Sequence, residues 1–204
     1  MRRIPVIPTI VVTLAVAVMI ALGLWQLLVR LPAKEAYLAQ LAANPAKPPI
    51  TFPTLPDDSL LFRRSSVMCL SSVSTRIAGA GAAGYRVVAE CRTGAEGPGA
   101  TVQLGTTRDA KAKVQWPGGA VSGYLSHAPN NRPWIASLWD RTPQRLMLVA
   151  DTPPAGLTRN TPPNIAAVPN SHLAYAGQWF FFAAIASIIY VLAVRRRTHP
   201  SPRP

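Results

Sequence analysis

The sequence predicts an α+β membrane protein, in which two transmembrane helices flank a small extracytoplasmic antiparallel β domain, barrel-like or built as a curled sheet. Three observations predict it. Residues 4–29 and 172–194 are long apolar runs with arginines at their ends. Between them the pattern changes to short β-prone runs punctuated by glycine and proline. With 204 residues, 49% of them hydrophobic and only 14% charged, the chain is too apolar for a disordered protein and too short for several large domains.

The C-terminal run carries no charge from Ala176 to Val194. At about 1.5 Å per helical residue it just crosses a hydrocarbon core of roughly 30 Å. Arg195, Arg196 and Arg197 close it, and Tyr175, Trp179, Phe180 and Tyr190 place aromatic rings near its two ends. The N-terminal run begins after Arg2 and Arg3 and stops at Arg30. It exceeds the roughly 7 to 15 apolar residues of a signal-peptide core and has no small-x-small cleavage pattern after it, so it reads as an uncleaved anchor. Pro5 and Pro8 fall in its opening turns, where a missing N–H costs little. Arginines at both chain ends predict cytoplasmic termini and an extracytoplasmic middle section; the expected setting is a bacterial inner membrane, with that section periplasmic.

The expected division is a cytoplasmic N-terminus at 1–3, a first span at 4–29, and a juxtamembrane helix with a proline-rich linker at 30–56. The β domain at 57–151, a proline-rich return at 152–171, the second span at 172–194 and a basic tail at 195–204 follow. The net charge of +13 is partly topological. All eight acidic residues lie between the spans, with fourteen basic ones from Lys34 to Arg159, a net of +6. These charges are scattered and make no aromatic-interleaved basic stripe, so no nucleic-acid partner is expected. Membrane lipid is.

Within 30–56, residues 33–43 (AKEAYLAQLAA) are helix-prone, and the five prolines of 44–56 dictate extended chain that forms neither helix nor inner strand. Candidate strands are 66–74, 84–91, 100–105, 111–116, 120–126, 134–139 and 145–150, separated by turn signals at 78–84, 94–99, 117–119, 129–133 and 142–143. A domain of this size, rich in alanine and serine, has a thin core.

Cys69 and Cys91 are the only cysteines. They lie in consecutive candidate strands and form a disulfide candidate if the register turns their sulfurs together. The spacing is not CxxC, and no histidine is near in sequence, which weighs against a redox or copper pair. Gly79, Gly81 and Gly84 lack the strand-to-helix setting of a nucleotide loop. Asp57 and Asp58 are adjacent and point apart in extended chain, so they make no carboxylate dyad. His127 reads as a solvated surface residue, and His199 lies in a polar tail.

His172 stands at the entrance of the second span, on the helical face of Tyr175 and Ala176. A neutral imidazole ligates haem iron or a metal, and Tyr175, Trp179 and Trp25 suit a porphyrin face. The plainer alternative is an interfacial histidine bonded to a lipid phosphate or to Gln26, itself a polar group near the outer end of the first span that wants an inter-helix partner.

Two stretches carry a resemblance. Leu22-Gly23-Leu24-Trp25-Gln26-Leu27-Leu28-Val29-Arg30 with Lys34, and His172-Leu173-Ala174-Tyr175-Ala176-Gly177-Gln178-Trp179-Phe180, resemble the Surfeit-1 (SURF1/Shy1) family of cytochrome c oxidase assembly factors. That family has LGxWQxxRxxxK near the end of its first span and HLxYAxxWF at the start of its second. Val121-Ser122-Gly123-Tyr124-Leu125 and Trp139-Asp140 look like further landmarks. The family's usual Arg-Gly-Trp strand is replaced here by Val102-Gln103-Leu104-Gly105-Thr106-Thr107. The resemblance implies a non-enzymatic helper that assists insertion of haem a into the catalytic subunit of a terminal oxidase. His172 would be the haem ligand, with Tyr175, Trp179, Trp25 and Gln26 around it. Oxidase subunits, and haem a synthase as supplier, are the implied partners. A stably bound accessory subunit without haem of its own is the alternative, and a membrane-anchored thiol enzyme acting through Cys69 or Cys91 is a third.

Overall fold

The computed structural model describes residues 5–95, 99–130, 133, 135, 139, 140 and 142–198. The chain divides into two compact units, Met1–Tyr37 with Val168–Pro204, and Leu38–Ala167. The first contains helix α1 (Val6–Trp25) and helix α3 (His172–Thr198). After α1 the chain remains helical through a five-residue π turn, Gln26–Arg30, and into α2 (Leu31–Ala43). Two of these helical stretches are long and apolar enough to cross a membrane.

The π turn has a local cause. Pro32 offers no N–H to the Leu28 carbonyl, and in a regular α-helix its ring would collide with that carbonyl. The turn just before it is widened instead, with the Leu31 N–H reaching back five residues to the Gln26 oxygen. The helix expected after Pro32 therefore starts before it.

The second unit holds one seven-stranded mixed sheet: β1 (Ile50–Thr51), β2 (Arg64–Cys69), β3 (Ser71–Gly79), β4 (Tyr85–Arg92), β5 (Ala100–Thr107), β6 (Gly119–His127) and β7 (Leu146–Ala150). The spatial order is β1-β2-β6-β7-β5-β4-β3. Pairs β1/β2 and β5/β7 are parallel and the other four antiparallel, which corrects the purely antiparallel expectation. Alternating polarity reports which face a side chain takes, not which strand lies next to it. Here β7 returns to lie between β5 and β6, and so runs parallel to β5.

The expected strand 66–74 is two strands. Only Leu70 separates β2 from β3, yet β3 is one edge of the sheet and β2 lies beside the other. A one-residue link can join them only if the sheet curls until its ends meet at that corner. The Leu70 N–H donates to the Arg92 carbonyl at 2.8 Å, and Cys69 of β2 is disulfide-bonded to Cys91 of β4 with Cα atoms 5.5 Å apart. Among the described residues no ladder joins the two edges, so the sheet is curled and open, not a closed barrel.

Residues 111–116 form no strand, because β6 already has neighbours on both sides. Val114 and Trp116 instead pack on the core of Cys69, Val87, Cys91, Val102, Leu104, Leu125 and Leu148. Candidate strand 134–139 lies largely outside the described residues, and Ile135 and Trp139, which are described, sit in turns. The linker region contributes a 3-10 turn at Asn44–Ala46 and the edge strand β1, kept to two residues by Pro48, Pro49 and Pro53. Asn44 is buried, and its amide donates to the carbonyls of Ser59 and Leu61 at 2.7 and 2.8 Å.

The proline-rich return is tied to β5. Thr106 and Thr158 exchange backbone hydrogen bonds at 2.9 Å each. Buried Asn160 donates to the carbonyls of Gln103 and Ala150 at 3.1 and 2.9 Å and accepts from the Gln103 amide at 2.7 Å. This network covers β5 on a second side and buries it along nearly all its length. Asn160→Leu should cost about 3 kcal/mol by stranding two carbonyls and an amide. Replacing both cysteines with alanine should cost a similar amount, about 3 kcal/mol, by loosening the corner. Thermal unfolding of the full chain in detergent measures both, and a shift within error of wild type would contradict either account.

Candidate functional site

In the first unit α1 and α3 pack antiparallel along a continuous seam. On α1 the half-buried or buried positions include Thr9, Val12, Val16, Met19, Gly23 and Gln26; on α3 they include His172, Ala176, Phe180, Ala183, Ser187 and Tyr190. Steps of three and four residues are the pattern of two helices meshing side chains along one stripe. Small residues let the backbones approach. Ala176 and Ala183 are buried, and a Cβ at Gly23 would stand 2.7 Å from the Phe180 ring.

A polar pair closes each end of the seam. At one end Tyr190 meets the Thr9 hydroxyl, which itself donates to the Pro5 carbonyl at 2.7 Å. At the other, Nδ1 of His172 meets Oε1 of Gln26 at 2.8 Å. Thr9 and Gln26 lie roughly 25 Å apart along α1, so both pairs sit near the limits of a hydrocarbon core. Between them the buried side of the seam is apolar except for Ser187, whose hydroxyl donates to the Ala183 carbonyl within α3 at 2.8 Å.

His172 is the first residue of α3 and is half-buried. Gln26 opens the π turn. Among the described residues, Nε2 of His172 has no hydrogen-bond partner. Of the other residues the sequence singles out, Trp179 is half-buried, while Trp25 and Tyr175 are 46% and 51% exposed. None of the three bonds to the histidine among the described residues. Trp25 instead lies under Arg30, whose guanidinium carbon is 5.5 Å from the ring centroid.

That contact explains the π turn's position in the motif. The pattern WQxxR has two residues between glutamine and arginine; this chain has three, Leu27, Leu28 and Val29. A helix absorbs one extra residue as a π turn, and the wider turn brings Arg30 back over Trp25 although it lies five positions on. The sequence signal was Pro32, which forbids a regular α turn at this point. Thr9 was overlooked in the sequence, and Tyr190, read there as an interfacial aromatic ring, instead meets Thr9 through its hydroxyl.

The remaining candidates separate. His127 bonds Asp58 at 2.8 Å, and hydrogen bonding from Ser59, first its side chain and then its backbone N–H, holds the Asp57 carboxyl below the usual range. Cys69 and Cys91 are buried in their disulfide, so neither is a free thiol nucleophile. No group of three or more His, Cys, Asp or Glu gathers among the described residues. A lone imidazole cannot cage a bare transition metal, which takes three or four protein donors, but it suits haem iron, whose porphyrin brings four nitrogens of its own.

The fold and site define a class: an α+β protein whose two apolar helices, each long enough to cross a membrane, stand at the chain ends with a mixed sheet inserted between them. Comparison with known families is specific. The family model described as the SURF1 family matches residues 13–184, and the chain belongs to that family. Membership suggests a role in cytochrome c oxidase assembly. No curated protein and no solved structure matches the chain.

Gly23→Leu would place a branched side chain in the space of the Phe180 ring and part the helices near Gln26. Limited proteolysis in detergent should cut this variant faster than wild type, whereas Gly177→Ala, with open space around it, should behave as wild type. Equal cleavage of Gly23→Leu and wild type would mean that the seam does not depend on this close approach.

Proposed function

We propose that this chain is a non-enzymatic biogenesis factor of a haem-copper terminal oxidase, which holds haem a at His172 for delivery to the oxidase catalytic subunit. The observation that carries the reading is the bond from His172 Nδ1 to Gln26, which leaves Nε2 as an unused donor at the mouth of the α1/α3 hairpin. The iron of the cargo supplies the coordination chemistry; the chain supplies one neutral imidazole and a rim of exposed rings. Trp25 and Tyr175 offer flat apolar faces to a macrocycle, and Trp179 continues the same side of α3 one turn below Tyr175.

The two apolar helices support a membrane placement. Arg195, Arg196 and Arg197 close α3, and the positive-inside rule supports a cytoplasmic side for them and an outer side for His172, in our reading in a bacterial inner membrane. The Cys69–Cys91 disulfide suits an oxidising periplasm around the β domain. Haem a synthase is the natural supplier and the oxidase catalytic subunit the acceptor. A second reading, a permanently bound accessory subunit, draws on the exposed Met68, Leu70 and Val73 at the β2–β3 corner.

Protein purified in mild detergent from haem-a-producing cells should show a haem absorption spectrum that His172→Ala abolishes while the disulfide and β-sheet signal persist. Colourless wild-type protein that copurifies with an oxidase at fixed stoichiometry would replace haem handling with the accessory-subunit reading.

A further inference from the structure

We infer that Gln26 is a positioning residue that fixes the proton of the neutral His172 ring on Nδ1, so that the Nε2 lone pair faces outward as the ligating atom. The argument starts from the atoms. The Gln26 atom facing the ring is its carbonyl oxygen, at 2.8 Å from Nδ1. An amide oxygen only accepts, so Nδ1 donates and must carry the proton. A neutral imidazole has one N–H, so Nε2 is left with its lone pair. Without such a partner the ring is free to carry its proton on Nε2, the form that cannot ligate through that atom.

The fold supports this assignment. Gln26 and His172 both lie on the seam, half-buried, so the bond is partly shielded from competing water. The π turn begins at Gln26, and the extra residue it absorbs lies after the glutamine. The insertion therefore leaves Gln26 in register with Gly23 and the seam, while Trp25 is taken up by Arg30 on the exposed side. Gln26 is the group that the described residues present to Nδ1.

The choice of an amide has a chemical consequence. A carboxylate in this place would draw the Nδ1 proton and make the ring a stronger, more anionic donor. A neutral amide orients the ring without that gain, which suits a ligand that must release its iron. The role at haem rests on the reading of His172 given above; the tautomer does not.

The test is nitrogen NMR on full-length, histidine-labelled, haem-free protein in detergent, with the His172 signals identified by their loss in His172→Gln. Wild type should show Nδ1 protonated and Nε2 unprotonated. Gln26→Leu should move the proton largely to Nε2 and weaken haem binding on the order of 10- to 100-fold. Gln26→Glu should keep the proton on Nδ1, raise the iron–histidine stretching frequency and slow haem release. Wild-type protein with its proton on Nε2, or a Gln26→Leu tautomer identical to wild type, would overturn the inference. The two readings fail separately. Haem lost in His172→Ala from a wild type protonated on Nε2 removes the role of Gln26 alone; a Nδ1-protonated wild type that takes up no haem removes the haem reading.

Discussion

The register between α1 and α3 is the constraint on which the candidate site depends. Two apolar helices in lipid gain little from hydrophobicity when they meet, so packing and internal hydrogen bonds must fix how they slide and turn against each other. The Gly23–Phe180 contact sets the depth of approach, and polar pairs near the two ends of the apolar stretch set the slide. A shift of one residue on either helix rotates its seam by about 100° and parts both pairs at once. His172 is therefore held by the whole hairpin, although among the described residues only one atom of its ring is hydrogen-bonded.

The β domain meets a different constraint. Its chain crosses from one end of the sheet to the other through Leu70 alone, and the curl this demands leaves two edges close together with no ladder between them among the described residues. The disulfide and the Leu70–Arg92 bond hold the corner where backbone pairing stops. Gly123 shows how tightly the central strands pack: a Cβ there would lie 1.9 Å from the Val149 carbonyl. This glycine falls inside Val121–Leu125, a stretch singled out by resemblance, and its need is steric. The absent Arg-Gly-Trp strand has its counterpart in β5, where Gln103 and Thr106 bond the return segment instead.

What the sequence revealed and what it hid divide along physical lines. Both apolar helices were legible because length and absence of charge act over some twenty residues. The curl, the strand count and the order were not. Residues 111–116 alternate as a strand does, and only the occupancy of β6 on both sides denies them a ladder. Cys69 and Cys91 could be placed in neighbouring strands by sequence, but they bridge β2 and β4, four places apart in the sheet, and only the curl brings them together. At the site, the Gln26 partner was anticipated as the plainer alternative to a ligating histidine. The two are compatible, because the bond uses Nδ1 and the proposed ligation would use Nε2.

That last point bears on how a single histidine would serve the proposed cargo. A resident haem is gripped from both faces and buried, so its ligand need not be selective about when it lets go. Here the ring sits at a helix end with exposed aromatic neighbours and a neutral amide behind it, an arrangement that orients the donor atom without enclosing what it binds. Weak enclosure lowers affinity, and a fixed ring recovers part of it by removing the entropy of reorienting the ligand at each encounter. The π turn then has a use beyond accommodating Pro32. It keeps Gln26 on the seam while placing Arg30 and Trp25 together on the open side, so the group proposed to orient the ring and one of the rings proposed to meet a cargo are adjacent in one helical stretch.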